Sequence, residues 1–160
     1  MVYASFPQIA EKIERGESFV VYFGYAKCPW CRSCLTALLE SANNHGITQI
    51  LYVDISDSRD TYVLKNGIAI KTIEGAQGYA ELLELLEPVL DDYVLQENGE
   101  EIPVGEKRIY APNVIAVRDG APIAIAADSA LLTDPYGEIT AQIYDDQIKC
   151  FDAVFDQFIA

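Results

Sequence analysis

The sequence predicts an α/β fold in which a central mixed sheet is flanked by helices and interrupted by a mainly helical insertion. Two apolar runs, 18–25 and 47–55, have the composition of strands that are buried on both faces, and a helical segment separates them. A strand, a helix and a strand joined by short links form a βαβ unit, so these two strands should be parallel. Two later runs, 113–117 and 122–127, flank a charged Asp-Gly turn at 118–121 and predict an antiparallel hairpin.

Three helices are predicted outside the insertion from their end signals and apolar spacing. The first has Ser5 as its cap, Pro7 in its first turn and Gly16 at its end. The second follows the first buried strand and ends in the polar segment 43–46. The third spans 138–159, where apolar residues recur at helical spacing and predict one buried stripe.

Residues 56–106 are predicted to be an acidic insertion within a single domain that spans 1–160. Their longest pattern, 77–93, has helical spacing, and Pro88 should kink or split that helix. The Asn-Gly pair at 98–99 predicts a tight hairpin turn. The insertion holds 3 basic and 12 acidic residues, so most of the net charge of −14 lies there.

The composition excludes several classes of protein. A chain that is 51% hydrophobic is not expected to be disordered. Its strong negative charge disfavours binding to nucleic acid or to an anionic membrane surface. No apolar run reaches the roughly 18 residues that a membrane span requires, and the charged first 15 residues make a poor signal peptide. We therefore expect a cytoplasmic protein without nucleic-acid or membrane partners.

The cysteines at the start of the second helix are the strongest functional signal. Cys28 ends the link from strand to helix, and Pro29 occupies the first helical position, where its missing N–H is not needed. Free N–H groups and the helix dipole then favour a thiolate at Cys28, and Lys27 and Arg32 add positive charge nearby. Cys31 is close enough in sequence to form a redox-active disulfide with Cys28, with Cys28 attacking and Cys31 resolving.

A metal site is the alternative for this cluster. Cys28, Cys31 and Cys34 have a C-x2-C-x2-C spacing that could hold zinc or an iron–sulfur cluster, if Cys150 or His45 gave the fourth ligand. Neither residue is close to the cluster in sequence, so no metal and no organic cofactor is expected. We interpret Cys34 and Cys150 as core residues and His45 as a helix-end residue.

The chain resembles the thioredoxin-like superfamily in two landmarks. The first is the C-P-W-C motif after a buried strand and inside a βαβ unit. The second is Pro112, which opens an apolar strand and precedes the turn glycine, Gly120, by eight residues. The resemblance covers about 1–55 and 107–160. The Pro-Trp dipeptide is similar to glutaredoxin-like motifs, and the insertion has a fainter likeness to the bacteriocin-transport accessory group.

The resemblance implies a thiol–disulfide oxidoreductase. It implies that Pro112 is cis and packs beside the Cys28–Cys31 pair. It also implies that the backbone of Ala111 and an exposed Trp30 ring contact the substrate. The partner would be a disulfide-containing protein or a low-molecular-weight thiol, and an unidentified reductase would restore the thiols.

Two positions depart from the family pattern. Tyr22 stands where thioredoxins usually have a buried acid, and a tyrosine with an ordinary pKa of about 10 is a poor base at neutral pH. Residues 128–129, Asp-Ser, stand where the family tends to have glycine beside the substrate groove. The proton of Cys31 is therefore expected to leave through water or another group.

Lys107 and Arg108 precede the Pro112 segment and, with Lys27 and Arg32, predict a positive rim around Cys28 that could attract an anionic partner. The alternative is that these charges are solvated and paired with neighbouring glutamates. A different class of function is also open at this point. The cysteine pair could act as a redox-sensing or protein-binding module that switches the acidic insertion without turnover.

Overall fold

The computed structural model describes residues 1–127 and 132–160, and it is a mixed α/β protein. Residues 128–129, which the sequence analysis singled out, lie outside the described residues. In chain order the helices and strands are β1 (Val2–Tyr3), α1 (Phe6–Glu14), β2 (Phe19–Gly24), α2 (Pro29–Asn44), β3 (Leu51–Asp54), β4 (Thr61–Lys65), β5 (Ile68–Ile73), α3 (Tyr79–Leu86), a 3₁₀ turn (Glu87–Val89), β6 (Asp91–Glu97), β7 (Glu100–Arg108), β8 (Asn113–Arg118), β9 (Ala121–Ala126) and α4 (Ala141–Ile159).

Five strands form a mixed central sheet in the order β1-β3-β2-β8-β9. Strands β1, β3 and β2 run parallel, whereas β8 is antiparallel to both β2 and β9. The predicted βαβ unit and the predicted terminal hairpin are both confirmed. The edge strand β1 was not predicted, because two residues are too few to show a period-two pattern.

Strand β2 is the centre of the core, and all six of its residues are buried. Because side chains alternate across a strand, Val21 and Phe23 pack with α1 and α3, whereas Val20 and Tyr22 pack with α2 and α4. The sheet is therefore covered by helices on both faces. The end of β2 delivers the chain directly to the start of α2, where the cysteines lie.

The helix ends follow the local signals of the sequence. The backbone N–H of Ser5 donates to Gln8 Oε1 (2.9 Å) at the start of α1, and Pro7 lies in its first turn. Helix α4 begins three residues later than predicted, because Thr140 caps it by accepting from the N–H of Ile143 (3.2 Å). Among the described residues, no helix combines the length and the apolar character that crossing a bilayer would need.

The prediction of a mainly helical insertion was wrong, because two hairpins, β4–β5 and β6–β7, make up most of it. The predicted Asn98-Gly99 turn closes the second hairpin, and an unrecognised Asn66-Gly67 turn closes the first. All four residues have the positive φ that such turns require. Helix α3 stops before Pro88, so Tyr93, which was placed in the helix, lies in β6.

His45 links the end of α2 to α4. Its Nδ1 donates to the Ser41 carbonyl (2.8 Å), and its Nε2 lies 3.2 Å from Asp156 Oδ1. The hydrogen bond to Ser41 and the carboxylate of Asp156 raise the pKa of His45 above its usual range, despite partial burial. The position at the helix end is as predicted.

Protonation of His45 should therefore stabilise the fold. A pKa that is higher in the folded chain gives stability that is complete below the unfolded value of about 6.5 and is lost as pH rises through the folded value. We expect the advantage of the wild type over His45→Gln, measured by urea unfolding, to be about 0.5–1 kcal/mol larger at about pH 5.5 than at about pH 8.5. The same advantage at both pH values would contradict this.

Candidate active site

Cys28 caps the N-terminus of α2. Its Sγ accepts a hydrogen bond from the backbone N–H of Cys31 (3.3 Å), and Pro29 occupies the first helical position. The position predicted from the sequence is therefore the position found. The sulfur therefore takes the place of the side-chain oxygen that usually caps a helix N-terminus.

The loop before β8 faces Cys28 from the neighbouring strand. The Ala111–Pro112 peptide bond is cis. The thiol of Cys28 donates a hydrogen bond to the Ala111 carbonyl oxygen, and the sulfur–oxygen distance is 3.7 Å. The buried side chain of Asn113 fixes this loop through two hydrogen bonds to its backbone. Its Oδ1 accepts from the N–H of Tyr110 (2.7 Å), and its Nδ2 donates to the Pro112 carbonyl (3.0 Å). Two segments far apart in sequence thus meet at one sulfur atom.

Both cysteines are buried, and each is 2% exposed. The Ala111 loop lies directly over Cys28. Trp30 differs from its prediction as an exposed ring. It is half-buried and packs against the core between the sheet, α2 and α4.

The Tyr22 hydroxyl lies next to the Cys31 thiol, at the position where thioredoxins usually have a buried carboxylic acid. Burial raises the pKa of Cys31 to about 12, and the neighbouring Cys28 thiol adds to this, whereas the hydrogen bonds with Tyr22 and with the Tyr25 backbone act in the opposite direction. Burial, followed by the contact with Cys31, also raises the pKa of Tyr22 far above its usual range. Tyr22 is therefore a neutral hydrogen-bond donor and not a base.

The contact between Tyr22 and Cys31 depends on Gly24. A Cβ atom at position 24 would lie 2.5 Å from Tyr22 Oη and 3.0 Å from Cys31 Sγ. We expect Gly24→Ala to lower the free energy of unfolding by about 1–3 kcal/mol, because the core is overpacked and the phenol is displaced. Urea unfolding of the reduced protein measures this effect.

A second substitution separates steric overlap from other effects of Gly24→Ala. Tyr22→Val removes the ring that the new methyl group would meet, so the cost of Gly24→Ala should largely disappear in the double variant. Additive costs of the two substitutions would show that the overlap is not the cause.

A cavity of about 340 Å³ reaches Cys31 from the side of β3. Most of its surface is aromatic or apolar, and the charged side chain of Arg32 lies at its wall. The lining residues are Met1, Tyr22, Tyr25, Ala26, Cys31, Arg32, Leu35 and Tyr52. The cavity gives small molecules such as water an approach to the thiol that the Ala111 loop does not cover. Sequence reasoning missed Tyr25 and Tyr52, because neither has a chemical signature of its own.

The predicted positive rim is only partly found. Lys27 and Arg32 are exposed and close to the cysteines in sequence. Lys107 is paired with Asp92 (2.9 Å), whereas the Arg108 guanidinium donates to the Asp60 carbonyl (2.8 Å). Consecutive residues of β7 point to opposite sides, so Lys107 and Arg108 cannot serve the same site.

The remaining candidates for metal ligands are engaged elsewhere. The Cys34 thiol is buried and donates to the Cys31 carbonyl (3.5 Å), and Cys150 is half-buried on α4. His45 lies at the opposite end of α2 from the cysteines. In the described ranges 1–127 and 132–160, no group of three or more His, Cys, Asp or Glu side chains is placed to hold a metal ion.

Comparison with known proteins does not assign the chain to a family. No protein-family model matches it. A search of curated proteins likewise finds no match. Any inference about chemistry therefore depends on the geometry around Cys28.

Proposed function

We propose that the chain is a thioredoxin-like thiol–disulfide oxidoreductase in which Cys28 attacks a substrate disulfide and Cys31 resolves the mixed disulfide. One observation carries the proposal. The sulfur of Cys28 accepts the N–H of Cys31 at the helix start and faces the Ala111 carbonyl beside cis-Pro112. An inert core thiol does not need a helix N-terminus, whereas an attacking thiol gains its reactive form from one.

The arrangement of the sheet supports the same proposal. The helix, strand, cysteine motif, helix and strand precede a cis-proline, a strand, a turn, a strand and a final helix. This is the order that resembles the thioredoxin fold. The β4–β7 hairpins and α3 are then additions between β3 and β8. As for most proteins of this type in a reducing cytoplasm, the net direction would be reduction of the substrate.

The chemistry is two successive exchanges. The Cys28 thiolate attacks one sulfur of the substrate disulfide, so a Cys28–substrate bond forms, the substrate S–S bond breaks, and the released thiolate takes a proton from solvent. Cys31 then loses its proton and attacks Cys28 Sγ, which releases the second substrate thiolate. Two electrons have passed to the substrate, and a Cys28–Cys31 disulfide remains. A dithiol or two equivalents of a small thiol reduce that disulfide and complete the cycle.

The surrounding groups have separate roles in this scheme. Tyr22 donates its hydroxyl hydrogen toward Cys31 and stabilises negative charge on that sulfur as it attacks. The Ala111 backbone and Trp30 form the surface that meets the substrate, and Arg32, at the wall of the cavity beside Cys31, adds positive charge. No metal and no organic cofactor takes part.

Trapping of the mixed disulfide tests the proposal. Cys31→Ser removes the resolving thiol, so the variant should remain covalently bound through Cys28 to disulfide-bonded insulin, as a species that disappears on reduction. Cys28→Ser/Cys31→Ser is the control and should trap nothing. If Cys31→Ser traps no insulin and the wild type does not reduce it, the chain is not a disulfide reductase, and a redox-sensing module becomes the better explanation.

A further inference from the structure

A second cavity, polar and about 170 Å³ in volume, lies between the segment that follows β3 and the end of β7. Two arginines, Arg59 and Arg108, line it, together with Ser56, Asp57, Thr61 and Ile73. We refer to it as the Arg59–Arg108 cleft. It is an unusual place for two cations to meet, because the other lining residues belong to the acidic segment 56–106 and Arg108 comes just after that segment.

Neither arginine of the cleft is neutralised by a carboxylate. Arg59 donates to the Ile109 carbonyl (3.1 Å), and Arg108 donates to the Asp60 carbonyl and stacks over the Tyr93 ring at 4.0 Å. Among the described residues neither guanidinium forms a salt bridge, and Asp57 is the one acidic residue in the lining of the cleft. Burial, followed by the charge of Arg108, lowers the pKa of Arg59, as expected for a cation that lacks a counter-ion.

Each guanidinium has five N–H donors, and the backbone carbonyls use only part of this capacity. The contacts with Ile109 and Asp60 fix the orientation of both groups, so the remaining donors are held in place before a ligand arrives. A rigid pair of guanidinium groups matches the two oxygens of a carboxylate better than a lysine ammonium does.

The cleft lies near the cysteine site and is linked to it through the loop before β8. Arg59 holds the carbonyl of Ile109, which lies two residues before the Ala111 carbonyl at Cys28. Burial and the nearby Cys28 raise the pKa of Tyr25, whereas the charge of Arg59 lowers it, so both residues are close enough to act on this hydroxyl. A neighbouring cavity, lined by Tyr25 and Lys27 among others, shares Ser56 and Asp57 with the cleft.

We propose that the Arg59–Arg108 cleft binds a carboxylate of the molecule that exchanges disulfides with Cys28, and that the chain therefore prefers small disulfides or thiols that carry carboxylates. This inference rests on the function proposed above. The volume of the cleft accommodates a carboxylate on a short alkyl chain. A net charge of −14 would otherwise repel such a substrate, so a preference for it requires a local site.

Three small disulfides of similar size test the preference. These are 3,3′-dithiodipropionate, which is anionic, bis(2-hydroxyethyl) disulfide, which is neutral, and cystamine, which is cationic. With dithiothreitol as the reductant, wild type should reduce the anionic compound most efficiently. Arg59→Gln and Arg108→Gln should each lower kcat/KM for that compound by about tenfold and change the rate with the neutral compound by less than about twofold.

Two further variants make the result specific. Arg118→Gln removes an exposed arginine at the far end of β8 and should leave the order of the three disulfides unchanged. Arg59→Lys keeps the charge but loses the planar pair of donors, so it should retain only part of the wild-type preference for the anionic disulfide. An equal loss with all three disulfides in Arg59→Gln would overturn the proposal and indicate a structural role.

A binding measurement separates failure of this inference from failure of the proposed function. The thioether 3,3′-thiodipropionate has the carboxylates but no disulfide, and its binding to Cys28→Ser can be followed by calorimetry. Binding that is lost in Cys28→Ser/Arg59→Gln supports the cleft even if no disulfide is ever reduced. If the thioether does not bind and the wild type shows no preference for the anionic disulfide, the cleft is not a carboxylate site.

Discussion

Cys28→Ser is expected to reduce the rate of dithiothreitol-driven insulin reduction to the uncatalysed background, a loss on the order of 10³ or more. A serine hydroxyl at the start of α2 would still accept the Cys31 N–H, so the helix end should remain intact. It cannot form a mixed disulfide, however, so both exchange steps are lost. Turbidity from the precipitating insulin chains measures the rate.

Cys150→Ser is the matched control for this substitution. Cys150 is a half-buried thiol on α4, outside the cysteine motif, so its replacement should leave the rate within about twofold of wild type. Equal rates for Cys28→Ser and wild type would refute the role given to Cys28. Loss of activity in Cys150→Ser alone would place the chemistry at a different sulfur.

Asp60→Ala is expected to lower the free energy of unfolding by about 2–3 kcal/mol, the largest loss of stability that we predict for a single polar side chain. Asp60 is 4% exposed, and its carboxylate bonds two other parts of the segment 56–106. Its Oδ1 accepts the Gly75 N–H (2.5 Å), and its Oδ2 pairs with Lys71 Nζ (3.2 Å). Alanine leaves both donors without this partner in a partly buried place. Urea unfolding followed by circular dichroism measures the loss.

Glu74→Ala provides the comparison, because Glu74 pairs with the same lysine. The Glu74 side chain is 82% exposed and lies 3.5 Å from Lys71, so removing it should cost less than about 0.5 kcal/mol. Similar costs for the two variants would show that burial of Asp60 does not strengthen its interactions.

The cysteine site could be predicted because its signals are local or nearly local. The Cys28 cap, Pro29 and the helix that follows lie within a few residues, and the strand that begins after Pro112 has its own apolar pattern and turn. The meeting of the two segments followed from the family resemblance and is found in the contact between Cys28 and Ala111. Burial of the pair could not be predicted, because it depends on how closely that loop approaches.

The insertion and the cleft show where sequence reasoning failed. Helical spacing in 77–93 outweighed the Asn66-Gly67 turn, although such a pair between two short apolar runs is itself a hairpin signal. Arg59 belongs to no motif, and its role depends on packing against Ile109. One feature of the sequence did indicate that Arg59 lies near Cys28. Residues that follow neighbouring parallel strands gather at the same sheet edge, and Arg59 follows β3 as Cys28 follows β2.

The phenol of Tyr22 has a consequence for kinetics. The groups that act on the Cys31 thiol are Cys28, Tyr22 and the Tyr25 backbone. In the mixed disulfide Cys28 Sγ is bonded to the substrate sulfur, and Tyr22, whose pKa is raised far above its usual range, is a hydrogen-bond donor and not a base. Without an internal acceptor, Cys31 has to pass its proton to the medium through the aromatic-walled opening beside it. Turnover should then accelerate as imidazole or another small buffer is added at constant pH and ionic strength, which is the hallmark of external general-base catalysis.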